Sequence, residues 1–160
     1  MISVRTLRRT FSSTNHGVKK LGIVGAGQMG TGIGIVASRM AGIQVCFVDP
    51  SESSLNKAQA MVDKWCDKEI KKERMTPELK GEVMSRIVFH DQLSALSDSD
   101  FVVEAATENF SLKKTIFQHL AQETPEHAIL ASNTSSISIT KIAGVIPERA
   151  HQVIGMHFMN

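Results

Sequence analysis

A chain of 160 residues is long enough for one domain with a hydrophobic core and too short for two ordinary domains. Its 42% hydrophobic and 21% charged residues are typical of a soluble globular protein, and no apolar stretch approaches the ~18 residues that span a bilayer. The two cysteines, Cys46 and Cys66, predict neither a disulfide framework nor a metal site, and we expect both to be buried thiols in a reducing compartment.

The first 20 residues carry an excess of basic charge. They hold three arginines and two lysines, and the first acidic residue of the sequence is Asp49. An arginine-rich, serine-containing and acid-free N-terminus that can form an amphipathic helix is typical of a mitochondrial transit peptide, here residues 1–17 with cleavage after Phe11. Removing three of the 18 basic residues with that segment would leave 15 against 16 acidic residues. The basic character therefore indicates the mitochondrial matrix rather than a nucleic-acid surface, and a disordered basic tail is the alternative.

Strand and helix patterns alternate along the rest of the chain. In order, the pattern predicts strand 20–24, helix 28–40, strand 44–48, helix 51–74, a helix from 76–77, strands 87–89 and 101–104, helix 112–122, strand 128–131, helix 137–145 and strand 152–158. The strands are continuous apolar runs, as expected when both faces of a sheet are covered. The sequence therefore predicts one doubly wound α/β (Rossmann) domain over residues 18–160, with a parallel sheet and helices on both faces.

The segment GAGQMG joins the first predicted strand to the first predicted helix. Its glycines have the G-x-G-x-x-G spacing of turns that hold a dinucleotide pyrophosphate at a helix N-terminus. The predicted cofactor-binding residues of this turn are Gly25, Ala26, Gly27, Gln28, Met29 and Gly30. Gly32 and Gly34 are predicted to help Gly30 bring the helix close to the sheet.

Asp49 ends the second predicted strand, 19 residues after Gly30. A carboxylate there can accept hydrogen bonds from the adenosine ribose hydroxyls and would repel a 2′-phosphate, so the predicted cofactor is NAD rather than NADP. The alternative for Asp49 is a turn-forming residue before Pro50. Domains that bind FAD share the glycine pattern, but a flavoprotein of this kind needs a longer chain.

Three further segments follow predicted strands, and ligands of open α/β sheets bind beyond the carboxyl ends of the strands. They are VVEAATEN (102–109), ASNTSS (131–136) and MHFMN (156–160). Taken alone, each is also compatible with a plain turn or a helix cap, because asparagine and serine are favoured in both.

The segments GAGQMGTGI, CFVDP, VVEAATEN, ASNTSSISIT and GMHFMN, in this order and spacing, resemble the NAD-binding domain of L-3-hydroxyacyl-CoA dehydrogenase. The resemblance covers essentially residues 18–160. It implies oxidation of L-3-hydroxyacyl-CoA to 3-ketoacyl-CoA with NAD, in fatty-acid β-oxidation. The implied partner is the acyl-CoA substrate, with no nucleic acid, no metal and no membrane span.

The resemblance also assigns roles to individual residues. His157 matches the family's catalytic base, a role that imidazole suits because it titrates near neutral pH. Ser135 matches the serine beside the nicotinamide and the substrate oxygen, and Asn160 matches the asparagine that holds the substrate carbonyl and the cofactor. Glu108 and Lys113 match cofactor contacts.

Binding of the CoA moiety is implied for Lys72 and Ser135. Lys72 matches a lysine that meets the CoA phosphates, although Lys71 and Lys72 are also compatible with a solvated helix face. A serine expected near the CoA is replaced by Trp65 in this sequence.

In the family, a glutamate about a dozen residues beyond the histidine orients the imidazole, and a helical domain follows that covers the acyl chain and forms a homodimer. Both lie beyond residue 160, so we expect the chain to be a truncated dehydrogenase. The alternative is a non-catalytic NAD-binding fragment or module. A further alternative is a hydroxy-acid or sugar-acid dehydrogenase on the same fold.

Overall fold

A computed structural model describes residues 17–159, and the first 16 residues of the predicted transit peptide and Asn160 lie outside this range. The strands are β1 (Lys20–Val24), β2 (Gln44–Val48), β3 (Ile87–His90), β4 (Phe101–Glu104), β5 (Ile129–Ser132) and β6 (Val153–Gly155). They form one parallel sheet in the order β3-β2-β1-β4-β5-β6. The strand order reverses between β1 and β4, and this switch point is where a ligand is expected.

The helices lie on both faces of this sheet. They are α1 (Gln28–Val36), α2 (Glu52–Lys71), α3 (Pro77–Ser85), α4 (Phe110–Glu123) and α5 (Ile139–Ala143). Residues of α1, α2 and α3 pack with Val45 and Phe47 of β2 in one hydrophobic core. The alternate β2 residues, Cys46 and Val48, pack with α4 and α5 in a second core. This alternation of the strand side chains between two covered faces confirms the predicted doubly wound fold.

Polar side chains fix where the helices begin. Ser51, Thr76 and Ser138 accept hydrogen bonds from the backbone N–H three residues further on, as N-caps of α2, α3 and α5. Pro77 occupies the first turn of α3, where its missing N–H costs nothing. The predicted helix 137–145 is therefore too long, because Ser138 caps the helix from outside and α5 begins at Ile139.

Other boundaries agree with the prediction or shift by one to three residues, and two predicted elements differ more for local reasons. The predicted helix 28–40 changes at Ala37 into a π-helix, Ala37–Ala41, which Gly42 ends in the left-handed conformation at φ 68°. The strand predicted over 152–158 covers only Val153–Gly155 in the structure. Gln152 belongs to a 3₁₀ helix, Pro147–Gln152, and the residues after Gly155 leave the regular ladder.

Candidate dinucleotide and catalytic site

The glycine-rich turn lies between three strand ends. The Gly25 N–H donates to the Val48 carbonyl at 2.9 Å, and Gly25 has φ 104°. A Cβ at Gly25 would lie 2.8 Å from the Ala105 carbonyl oxygen, so both backbone conformation and space require glycine. Gly27 differs, because a Cβ there would meet no atom within 4 Å. The protein itself therefore does not require glycine at position 27, which faces open space at the start of α1.

Gly27 is the N-cap of α1, and it makes no side-chain cap hydrogen bond. The N–H groups of the first helical turn have no partners within a helix, and together with the helix dipole they favour an anion. Gly27 and Gln28 are exposed and Met29 is half-buried. This open, electropositive end fits the pyrophosphate of a dinucleotide.

A cleft of about 550 Å³ adjoins the glycine-rich turn at the switch point. Gly25, Gly27 and Asp49 contribute to one side of it, and its other lining residues include Leu93, Leu112 and Ile116. A largely apolar cleft that also carries the carboxylates of Asp49 and Asp91 fits an adenosine group, whose base is apolar on its faces and whose ribose carries hydroxyl donors.

Asp49 forms a turn, as the alternative for it predicted, and it also lines the cleft where the ribose is expected. Its Oδ1 accepts the Ser51 N–H at 2.9 Å, which forms the turn before α2. Its Oδ2 accepts the Ala26 N–H at 2.9 Å, which ties the end of β2 to the glycine-rich turn. Asp49 also lines the cleft. Ala26 is 4% exposed, and its amide is directed at Asp49 rather than at the cleft.

A buried polar cluster lies below this edge of the sheet. Glu104 at the end of β4 is fully buried, and its Oε1 accepts the Lys113 ammonium at 2.6 Å and the Ala106 N–H at 2.7 Å. Its Oε2 accepts the Ser132 hydroxyl at 2.6 Å. Lys113 is 1% exposed, and it lies 3.6 Å from Glu108. Glu104 thus joins the ends of β4 and β5, and Lys113 balances its buried charge from within.

Glu108 fixes the loop that carries Ser135. Its Oε1 accepts the Thr134 hydroxyl at 2.5 Å, the Ser135 and Ser136 N–H groups at 3.1 Å each, and the Ser136 hydroxyl at 2.9 Å. Desolvation raises the pKa of the Glu108 carboxyl, but the hydrogen bonds from Thr134 and Ser136 and the charge of Lys113 outweigh it and lower the pKa to about 2. Glu108 is therefore an anionic anchor between the loops that follow β4 and β5.

Ser135 and His157 follow neighbouring parallel strands, β5 and β6, at the same edge of the sheet, and both are exposed. Their loops are joined by backbone N–H groups on either side of His157. Met156 N–H donates to the Ser132 carbonyl at 2.9 Å, and Phe158 N–H donates to the Asn133 Oδ1 at 2.7 Å. Within residues 17–159, no hydrogen bond or ion pair of the His157 imidazole is found.

Lys72 does not lie in this group. It follows α2, whose 20 residues extend ~30 Å from the N-cap at Ser51 beside Asp49. Lys72 is exposed at the opposite end of that helix, next to Arg74, which pairs with Glu69. The structure therefore brings the glycine-rich turn, Asp49, Glu108, Ser135 and His157 to one edge of the sheet, and it leaves Lys72 away from them.

The family model for the NAD-binding domain of 3-hydroxyacyl-CoA dehydrogenase matches residues 20–160. The chain belongs to this family. Its cofactor is therefore NAD, in agreement with the glycine-rich turn, Asp49 and the cleft between them.

Three proteins to which this chain is similar are bacterial. A 3-hydroxybutyryl-CoA dehydrogenase of Bradyrhizobium diazoefficiens is 41% identical over 143 residues, which are 89% of this chain and 48% of the relative. The fatty acid oxidation complex subunit alpha of Shewanella putrefaciens is 38% identical over 148 residues, 92% of this chain and 21% of that protein. The crystal structure of (S)-3-hydroxybutyryl-CoA dehydrogenase from Ralstonia eutropha matches with a TM-score of 0.85 and 43% identity, over 89% of this chain and 50% of that one. The chain thus spans half or less of the length of these relatives.

Four residues of the segments VVEAATEN and ASNTSS had no individual role in the predicted site and contribute to it in the structure, Glu104, Ser132, Asn133 and Thr134. A signal existed for Glu104, because a carboxylate that ends the apolar strand FVVE is buried and requires a partner. For the other three, the segment ASNTSS indicated only turn or cap residues. Which hydroxyl or amide reaches which backbone group depends on how the loops fold, and the sequence does not contain that information.

The described part of this dehydrogenase domain holds neither a metal cluster nor a membrane-spanning helix. Between residues 17 and 159, no group of three or more histidine, cysteine or carboxylate side chains has the arrangement of a metal site. No helix in the same range combines the length and apolar character needed to cross a membrane. Both cysteines are buried, and burial raises the pKa of the Cys46 thiol to about 11.

Replacing Glu108 by glutamine should destabilise the fold at neutral pH and have less effect in acid. The folded-state pKa lies below the ordinary value of 4.5, so the carboxylate contributes stability that is present above 4.5 and is lost as the pH falls toward about 2. Urea unfolding of wild type and Glu108→Gln from about pH 7 to about pH 3 measures this. Glu123→Gln, at an exposed carboxyl that ends α4, is the control. A difference between wild type and Glu108→Gln that stays constant over this range would contradict the assignment.

Proposed function

We propose that this chain provides the NAD site and the catalytic base of an enzyme that oxidises L-3-hydroxyacyl-CoA to 3-ketoacyl-CoA. One observation carries the proposal: Ser135 and His157 are both exposed in the loops after the neighbouring strands β5 and β6, at the sheet edge that also holds the glycine-rich turn. The names of the relatives, 3-hydroxybutyryl-CoA dehydrogenase and fatty acid oxidation complex subunit alpha, support a short or longer 3-hydroxyacyl-CoA as substrate.

The residues of the chain account for the proton part of this reaction. NAD, when bound, accepts the hydride that leaves C3 of the substrate. The His157 imidazole takes the proton of the 3-hydroxyl, so the C–O single bond becomes the carbonyl of the product. The Ser135 hydroxyl donates a hydrogen bond to the same oxygen, and the Glu108 carboxylate fixes the backbone of that serine. Asn160 completes the proposed set by holding the substrate carbonyl, and it lies outside the described residues.

A second candidate, a non-catalytic NAD-binding module, is favoured by the surroundings of His157. No carboxylate contacts its imidazole within residues 17–159. In a well-studied hydrolase triad, loss of the carboxylate that orients the catalytic histidine lowers the rate by about 10⁴-fold. The two candidates share the cofactor site and differ in turnover, so they are separable by one assay.

The assay is oxidation of NADH by the purified 160-residue chain with acetoacetyl-CoA, run beside a fluorescence titration of NADH binding. We expect NADH to bind and acetoacetyl-CoA to be reduced, with His157→Gln lowering the rate by about 10²–10⁴-fold and leaving NADH affinity within twofold. Binding without turnover in the wild-type chain would favour the module. Equal rates with free acetoacetate would instead indicate a hydroxy-acid dehydrogenase. Absence of NADH binding would contradict the site itself.

We also propose that the protein works in the mitochondrial matrix. The support is compositional: the first 20 residues are arginine-rich and free of acidic side chains. Fusion of residues 1–20 to a fluorescent reporter should direct it to mitochondria, and replacement of the three arginines by glutamine should abolish this. Homodimerisation stays a prediction of the family resemblance, to be tested by sedimentation of the chain.

A further inference from the structure

The backbone N–H groups on both sides of His157 are hydrogen-bonded, whereas its imidazole has no hydrogen-bond partner within residues 17–159. The regular pairing of β5 and β6 ends with Ser132 opposite Gly155, and the Met156 N–H makes the next bond of the ladder, to the Ser132 carbonyl at 2.9 Å. In a continuing parallel ladder, the next N–H donated by this segment would be that of Phe158, and its acceptor would be the backbone carbonyl two residues beyond Ser132. β5 ends at Ser132, and the Phe158 N–H donates to a side chain instead.

The Asn133 side chain takes the place of that carbonyl. Its Oδ1 accepts the Phe158 N–H at 2.7 Å, so an amide side chain extends the ladder by one bond past the end of the strand. His157 lies between the two bonded N–H groups. This bond fixes the backbone after His157. The imidazole has no side-chain partner within residues 17–159, so the direction in which it leaves the sheet depends on that backbone.

Asn133 is itself held rigidly. Its own N–H donates to the Glu104 carbonyl at 2.8 Å, and the residue before it, Ser132, donates its hydroxyl to the Glu104 carboxylate at 2.6 Å. The Asn133 side chain is not needed for the turn that follows, because the Thr134 hydroxyl accepts the Ile137 N–H at 2.9 Å and Ser138 caps α5. The Asn133 side chain is therefore committed to the histidine segment.

We propose that Asn133 is a positioning residue for His157, acting through the hydrogen bond between its side-chain oxygen and the Phe158 N–H. The inference rests on the proposed function for its consequence in catalysis, but the contact itself can be tested without cofactor or substrate. Asn133→Asp keeps an oxygen at the same place and should preserve the bond. Asn133→Ala removes the acceptor oxygen, and Asn133→Ser makes the side chain too short to reach the Phe158 N–H.

The test is NMR spectroscopy of the full chain, with amide hydrogen exchange at Phe158 and the ring carbon–proton signal of His157 assigned by His157→Gln. We expect both loss variants to lower protection of the Phe158 amide at least tenfold and to shift or broaden the His157 ring signal. Asn133→Asp should retain both. Thr76→Ala is the control, because it removes a bond of the same kind, from the Leu79 N–H, at the start of α3. It should leave both signals unchanged.

Catalysis provides the second measurement. In a wild-type chain that turns over acetoacetyl-CoA, the loss variants should lower kcat at least tenfold with the NADH affinity within twofold, and Asn133→Asp should restore most of the rate. Unchanged Phe158 exchange and an unchanged His157 ring signal in a folded loss variant would overturn the inference. A wild-type chain without turnover would count against the proposed function alone, because the NMR outcome decides the contact independently.

Discussion

Replacement of Gly30 by alanine is expected to abolish both stable folding and NADH binding. A Cβ at this position would lie 2.0 Å from the Gly25 carbonyl oxygen and 3.2 Å from the Ile23 Cγ2. The oxygen is a backbone atom of the glycine-rich turn, which the Val48 carbonyl and the Ala105 backbone confine from the other side. The turn therefore cannot relax without breaking strand-end contacts, and we expect a loss of ~3 kcal/mol or more in the free energy of unfolding.

Two other glycines of the same segment give matched controls. Gly32 lies inside α1, and a methyl group there would meet no atom within 4 Å, so Gly32→Ala should stabilise the protein by ~0.5–1 kcal/mol. Gly27→Ala should cost at most ~1 kcal/mol as an N-cap change, yet lower NADH affinity at least tenfold because its methyl group would occupy the path of the pyrophosphate.

Urea unfolding and NADH titration of the three variants separate these effects. Gly30→Ala should lose both properties, Gly27→Ala mainly binding, and Gly32→Ala neither. A Gly30→Ala variant as stable as wild type would contradict the close approach of α1 to the turn. Tight NADH binding by Gly27→Ala would contradict the placement of the pyrophosphate at this helix end.

The glycines of this segment show which features of the fold the sequence predicts and which it does not. The bounds of β1 and β2 agree with the prediction because each is an apolar run that ends at a turn residue, Gly25 or Asp49. The role of Gly34 is confirmed, since a Cβ there would lie 2.2 Å from the Phe47 ring. The same role is wrong for Gly32, which faces open space. Spacing indicates a tight helix approach, but only the rotation of the helix decides which glycine meets the sheet.

The end of the chain was harder to predict because side chains, not periodicity, shape it. An apolar run predicted a strand over 152–158, but the ladder stops at Gly155 and Asn133 supplies the last bond. The family resemblance indicated Lys113 as a cofactor contact, and the structure gives it a buried partner, Glu104, nine residues earlier. Nothing in the sequence pairs these two charges, because the contact depends on α4 returning across the end of β4.

Replacement of Lys113 by methionine is the second variant with a large expected effect. It leaves the Glu104 carboxylate, which is fully buried, without its only ionic partner within residues 17–159. Removal of one member of a buried ion pair typically costs about 3–5 kcal/mol, because the remaining charge stays desolvated. Lys114→Met, at the next position of α4 on its exposed side, changes the same charge and should stay within ~0.5 kcal/mol of wild type.

The double variant Glu104→Gln/Lys113→Met tests whether the unpaired charge of Glu104 causes the loss of stability in Lys113→Met. The amide oxygen introduced by Glu104→Gln can still accept the Ala106 N–H, and the NH₂ group can donate to the Ser132 hydroxyl oxygen, so the double variant should recover much of the stability that Lys113→Met loses. The recovery should extend to NADH affinity, because Glu104 holds the Ala106 N–H of the loop after β4, which lines the cleft. Urea unfolding and NADH titration of wild type, Glu104→Gln, Lys113→Met and the double variant complete the cycle. If Lys113→Met were as stable as Lys114→Met, the Glu104–Lys113 ion pair would not stabilise the fold. Lys113 would then be available to contact the cofactor.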